Sequence, residues 1–293
     1  MFVTYFYICP MRLLPTRKLP FLLVAFLLTI AVHGQKKEKV KGSRIVSLAP
    51  REVNDFTSLE IEDNIEVFLT QGSKCDVQIE ADDNLHDAFT FSEAGGNLRI
   101  SLSKEIYNAK KIGVKITFTD DLKLIIAKDD TYVTALTDMT LADLTFKTSG
   151  SAKLFATVRA TTFTMMQNDK SKVELNLNAQ NTTIELNKNS QLKSLITSPK
   201  LRLDMYQKSL ANIEGDCIEL RLRMDGNTNL TGKNLTAQQA DIITESNANL
   251  SIMVEGRAVL ETSGKADIEL YGEPKIEIRK FTDNASLRHR PVK

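Results

Sequence analysis

The chain has 293 residues, 42% hydrophobic and 26% charged, which suits a packed globular protein and excludes a disordered one. Its formal charge is +1 with both signs interspersed, so nothing electrostatic points to nucleic acid, and that class is set aside. Thirteen Phe, six Tyr and no Trp, beside abundant Asn, Thr, Ile and Leu, suit short strands joined by tight polar turns.

Phe21–Val32 is a twelve-residue apolar run behind Arg12, Arg17 and Lys18, and small Gly34 precedes polar Gln35. Basic region, short apolar region and small residue together mark a secretory signal peptide over 1–34. The run falls short of the roughly 20 residues a span needs, so no transmembrane segment is expected in the mature chain. Cleavage is placed between Gly34 and Gln35, with Val32 and Gly34 at the third and first positions before the cut. Met11 would open a basic region of ordinary length, whereas Met1 prefixes it with apolar Phe2–Cys9, so Met11 is the expected start. Cleavage removes three bases and no acid, leaving 35 bases against 37 acids and a formal charge of −2. No cysteine follows the apolar run, which argues against a lipid-anchored N-terminus. Cys75 alternates in phase with Val77 and Ile79 as a small buried residue, and a disulfide to Cys217 stays open because spacing does not decide it.

Residues 35–44 are charged and unpatterned and read as a flexible leader, with order expected from Ile45. Period-two alternation then predicts strands at Phe56–Ile61, Ile65–Leu69, Cys75–Glu80, Leu98–Leu102 and Ile112–Phe118. Gln71–Lys74 is a turn and Gly95-Gly96-Asn97 a hairpin turn, while Asn84–Ala88 has room for one helical turn and no more. These strands, 45–120, are expected to form an N-terminal β cap.

From 121 to 290 one step recurs: a small residue, a non-aliphatic residue, then an aliphatic anchor. The small residues are Thr131, Ala152, Ser171, Ser190, Ala211, Thr228, Ala248, Ala266 and Ala285. The anchors run from Val133 through Ile213 to Leu287, spaced 21, 19, 19, 21, 17, 20, 18 and 19 residues apart. Apolar pairs such as Leu144/Phe146, Phe163/Met165 and Ala258/Leu260 precede their anchors by ten and eight residues. Each repeat therefore reads as a strand, a tight corner at the small residue, and a second strand. A fixed period near twenty marks stacked repeats. At about 3.3 Å per residue such a coil has a perimeter of roughly 60 Å, and nine coils about 4.8 Å apart make a rod of roughly 40 Å. The expected fold is all-β: a right-handed parallel β-helix-like solenoid of about nine short coils, capped by the N-terminal strands. An antiparallel meander is the competitor, but of the preferred two-residue hairpin turns only Asp225-Gly226 is present. At the far end Arg288-His289-Arg290-Pro291 supplies charge and a proline that discourage further pairing.

The blocks Val53–Ile61 and Val67–Gly72, continued by Val77–Leu85 and Gly96–Ile100, resemble the opening of the head GIN domain family of exported proteins common in Bacteroidetes-type bacteria. Thr148–Ala152 and Thr262–Ala266 are similar to that family's Ser-Gly-x-Ala steps, and the resemblance covers roughly 50–275. It implies a β-rich fold ending in a right-handed parallel stack, an adhesin-head role, and no catalytic residues to carry over. The departure is that the Ser-Gly pair stands in two of the nine repeats.

Chemistry is sparse. The carboxylate pairs Asp82-Asp83, Asp120-Asp121 and Asp129-Asp130 could serve a β-helix enzyme acting on acidic polysaccharides, but neighbours in a strand face opposite ways, so solvated turns are favoured. His86 and His289 have no second ligand at metal spacing, and the glycine-rich calcium-binding nonapeptide is absent. No catalytic residue, metal or cofactor is expected. Asn212, Asn229 and Asn249 share one repeat position, and Asn189, Asn227, Asn247 and Asn284 another. A sugar-binding amide face is weighed against asparagines that tolerate left-handed corners and stack in ladders, and the second is favoured. The sequons at Asn181, Asn229, Asn234, Asn249 and Asn284 follow from this Asn/Thr-rich pattern. The expected function is a non-catalytic exported cell-envelope protein with a binding or scaffolding surface, its partners glycans or other envelope components. The alternative is a polysaccharide-active β-helix enzyme. With Leu287 six residues from the end, no membrane barrel is expected after the last repeat, and the expected location of the exported chain is the periplasm or the cell surface and extracellular space.

Overall fold

The computed structural model describes residues 37–291, so the signal segment, Met11 and the Gly34-Gln35 cleavage position lie outside the described residues. The first strands are β1 (Lys39–Lys41), β2 (Val46–Arg51), β3 (Ser58–Ile61), β4 (Glu66–Gln71) and β5 (Asp76–Asp82). A 3-10 turn, Asp83–Ala88, leads to β6 (Phe89–Ala94), β7 (Asn97–Leu102), β8 (Glu105–Tyr107) and β9 (Ile112–Phe118). Order begins earlier than the alternation predicts. Lys39–Lys41 pairs in parallel with Glu105–Tyr107, because a strand needs hydrogen-bonding partners and not an apolar pattern. Ser43 and Arg44 then donate their backbone N–H groups to Asn84 and Asp82.

Above these lie β10 (Leu124–Ala127), β11 (Tyr132–Ala135), β12 (Met139–Thr148), β13 (Lys153–Gln167), β14 (Lys172–Leu186) and β15 (Gln191–Gln207). The chain continues through β16 (Leu210–Gly226), β17 (Asn229–Thr244), β18 (Asn249–Thr262), β19 (Asp267–Tyr271), β20 (Lys275–Phe281) and β21 (Ser286–Arg290). Every pairing among these twelve strands is parallel, each coil lying on the one before, as in Leu154↔Val173 and Met165↔Ile184. The fold is a β-solenoid.

Each long strand is two legs joined at a bend. In β14 burial alternates from Lys172 until Gln180 and Asn181, two consecutive exposed residues that reset the phase, and then alternates again. Thr161, Gln180, Pro199 and Ile218 stand at this bend without a ladder partner, which is why a proline is tolerated there. The other corner is tight and carries one residue with positive φ: Asp129, Gly150, Asp169, Lys188, Gln207, Gly226, Ser246, Gly264 or Asp283. Two residues later comes the buried small residue, eight of the nine being at most 1% exposed. Inside, Leu144, Phe146, Phe163, Met165, Leu220, Leu222 and Leu260 are essentially inaccessible, each worth about 1.5–3 kcal/mol of burial.

The register corrects the fifth repeat. Ser209, fully buried, takes the small position, exposed Leu210 the middle one, and Ala211 the anchor between Leu192 and Leu230. Ala211-Asn212-Ile213 satisfies the small-x-aliphatic rule equally well, so the pattern alone slipped by two residues. With Ala211 as anchor the spacings of 21 and 17 become 19 and 19.

The solenoid also starts before residue 121. β3 pairs in parallel with β10 and β7, and β4 with β11 and β9, so Ser58–Gln71 is already a coil with its own corner at Asp63, φ 69°. The cap proper is β2, β5 and β6, which pair antiparallel onto β5, β9 and β7 respectively.

Candidate functional site

The acids singled out in the sequence are mostly structural. Asp82 is fully buried and accepts the backbone N–H groups of Arg44, Lys110 and Lys111 at 2.7–3.2 Å. Burial works against its charge, but the three N–H donors outweigh that and hold its pKa below the usual value. Asp83 accepts from Ser43 Oγ, Asp120 from Gln71 Nε2 at 2.6 Å, and Asp129 from the Asp63 N–H at 3.2 Å. Asp82, buried in β5, is therefore not a solvated turn residue, whereas Asp129 is an exposed turn residue as expected, and the pairs do not converge. Among the described residues no group of three or more His, Cys, Asp or Glu is arranged to hold a metal ion.

His86 Nε2 lies 3.0 Å from Ser47 Oγ, and His289 Nε2 hydrogen-bonds the Gly272 carbonyl at 2.8 Å. Cys75 and Cys217 are both free and buried, and burial, with Asp216 adding to it, pushes the Cys217 thiol up to about 12. A thiol so protonated is no nucleophile.

The asparagines divide differently than expected. Asn229 and Asn249 are in register, but Asn212 pairs with Thr231, two places along, through the same slip as Ala211. Asn189, Asn227, Asn247 and Asn284 each follow the left-handed residue instead of being it. Their backbone N–H groups bond to the left-handed residue of the coil beneath. The ladder half of the expectation is seen once, where Asn247 Nδ2 donates to Asn227 Oδ1 at 2.7 Å.

What the sequence reading missed is on the outer face of the legs that follow the tight corner. Phe155, Glu174, Lys193 and Asn212 stand in register as one column, and Thr157, Asn176, Leu195 and Glu214 as the next. Between them lies a hollow of about 460 Å³, floored by the backbone around buried Leu175 and Ser194. At its lower end Tyr132 and Phe155 stack with centroids 5.2 Å apart, and Lys153 Nζ sits 5.8 Å over the Tyr132 ring. Higher on the same face, the bulge around Gly232 helps to enclose a second hollow of about 590 Å³ with Asn234, Met253, Glu269, Tyr271 and Arg290. Arg290 is held against Glu269 at 2.6 Å. One signal was available in the sequence: Tyr132 breaks the polar rule at the middle position of the repeat, as Leu210 does once the register is corrected.

The legs before the corner present a different face. There Arg202, Asp204, Arg221, Arg223 and Asp241 surround a hollow of about 320 Å³ with no aromatic lining. Arg202 is paired with Asp204 at 2.8 Å and Arg223 with Glu245 at 3.1 Å.

Residues 55–274 match the family described as "Putative auto-transporter adhesin, head GIN domain". No curated protein sequence matches the chain. Among solved structures the fold is similar to a "putative adhesin" of Parabacteroides merdae, with 16% identity over 87% of this chain and 100% of that one and a TM-score of 0.61. A "putative adhesin" of Parabacteroides distasonis has 14% identity over 86% and 100%, with a TM-score of 0.65. A "putative lipid binding protein" of the same species has 13% identity over 87% and 100%, with a TM-score of 0.60. At such identities these structures share the fold alone. The family match spans about three-quarters of the sequence and includes both the first coil and the repeats: the chain belongs to the head GIN domain family.

Proposed function

We propose that this protein is a non-catalytic, exported module of the cell envelope that binds or scaffolds through the outer face of its post-corner legs. The observation that carries the reading is a division of labour along each coil. The strictly recurring residues, Thr131 through Ala266 and Val133 through Ile268, are spent on packing, whereas the variable positions on that face line the two hollows. Family membership supports an adhesin-like role, and the signal-like N-terminus supports export. No helix among the described residues is long and apolar enough to cross a membrane.

Two measurements on producing cells test it. Fractionation with N-terminal sequencing should find the protein outside the cytoplasm, beginning at Gln35; a cytoplasmic full-length chain refutes export. Protease shaving of intact cells then separates surface from periplasm. Incubating the purified protein with a broad glycan panel should release no new reducing ends. Protein-dependent product formation would establish the enzyme reading instead.

A further inference from the structure

We propose that the face bearing Tyr132, Phe155 and Tyr271 binds an uncharged polysaccharide laid along the solenoid axis, a proposal that rests on the binding-module reading above. Four observations point there. The two hollows lie on one face, and each combines an aromatic ring with an amide, a carboxylate and a cation. Rings on a flat surface offer apolar faces to the C–H side of a sugar, while Asn176, Asn212 and Asn234 offer both donors and acceptors to its hydroxyls. The hollows, about 460 and 590 Å³, fall in the roughly 300–1,000 Å³ range of small-molecule subsites. The first spans five coils, from Ala135 to Glu214, about 19 Å along the axis, a length suited to more than one sugar ring.

Charge and backbone narrow the ligand. Glu174, Glu214 and Glu269 are balanced by Lys193, Lys233 and Arg290, so neither a polyanion nor a polycation is selected. Peptides commonly dock by adding a strand to an open sheet edge. At the first hollow the strands of this face are paired on each side over most of their length, which leaves side chains to do the recognising there, whereas the second hollow lies beside β21, which pairs with β19 alone. The pre-corner face, with Arg202, Arg221 and Arg223, supplies the internal control.

Affinity electrophoresis of the chain from Gln35 through gels containing dextran, mannan, xylan or alginate tests the proposal. The expected result is retardation by at least one neutral polymer, weakened about tenfold by Tyr132→Ala, by Phe155→Ala or by Asn176→Ala, and unchanged by Arg221→Ala. Asn176 is exposed, so alanine there removes the amide without touching the core, and matched circular dichroism melts check all three alanine variants. Retardation by alginate alone and lost in Arg221→Ala overturns the proposal, as does retardation indifferent to all three face substitutions. No retardation by any polymer also overturns it, while leaving the module reading to be decided by fractionation and the product assay.

Discussion

The carboxylate of Asp129 accepts the backbone N–H of Asp63 at 3.2 Å across 66 residues of sequence, and both residues have positive φ. The same bond recurs up the corner column: Asp63 takes the N–H of Leu102, Asp169 that of Gly150, and Asp283 that of Gly264. Each aspartate reaches down and satisfies an amide that the ladders leave unpaired. The bond offsets the roughly 1–2 kcal/mol that a non-glycine residue incurs in the left-handed region.

Gln207 sits in that column at φ 64° with no side-chain hydrogen bond to offset the strain. Gln207→Gly is therefore expected to stabilise by about 1 kcal/mol, whereas Asp169→Gly, which loses the Gly150 N–H and the 2.7 Å contact with Lys188, is expected to destabilise. Urea unfolding midpoints at constant m-value decide between the two signs.

Asp82 ties the leader to the Lys110–Lys111 strand entrance. Asp82→Ala leaves three backbone N–H groups without their acceptor and is expected to cost about 3 kcal/mol. Hydrogen exchange should localise the loss: the amides of Arg44, Lys110 and Lys111 lose protection, while those of β14 to β17 keep theirs.

Glu62 lies between Lys128 Nζ at 2.7 Å and Arg99. Burial raises its pKa, but the Lys128 bond and then the Arg99 bond outweigh burial and bring it to about 2 from the ordinary 4.5. A depressed carboxylate pKa contributes stability that is complete above about 4.5 and lost as pH falls towards 2. Wild type is expected to lose stability across that window, while Glu62→Gln, about 2 kcal/mol weaker at pH 7, loses less on acidification. Melting temperatures at pH 7, 4 and 2.5 test the convergence.

The last coil tells the same story about packing from its open side. Ile278 occupies the inward column of Leu260, yet is 52% exposed where Leu260 is fully buried. Ile278→Asp should cost under about 1 kcal/mol, whereas Leu260→Asp should prevent cooperative folding. Thermal melts of both variants suffice.

Periodicity made the stack legible, because packing demands the same residue class at the same place on every turn. It failed at Ala211, where two alignments satisfy the pattern and only the hydrogen-bond register selects one. The leader misled for the opposite reason: the Lys39–Lys41 ladder is held by backbone bonds and a Lys39–Glu105 ion pair at 2.9 Å, and neither leaves an apolar rhythm. The left-handed residues were hidden as well, since a column of Asp, Lys, Gln, Ser and Gly shares a backbone conformation and no side-chain property. The hollows arise from columns about 19 residues apart, and side chains so distant in sequence become neighbours only once the register is known.

The placement of Ser58–Gln71 between β7 and β9 below and β10 and β11 above has a consequence for how the chain assembles. The earliest coil made is a middle layer, and it waits for partners that emerge about 40 and 66 residues later. That foundation must close several long loops together before any of them is rewarded. Once it stands, each further coil needs only the next 19 or so residues and finds a finished template beneath it. Shortening the protein from its C-terminal side should then lower stability in steps of one coil, whereas deleting Ser58–Gln71 should abolish folding at once.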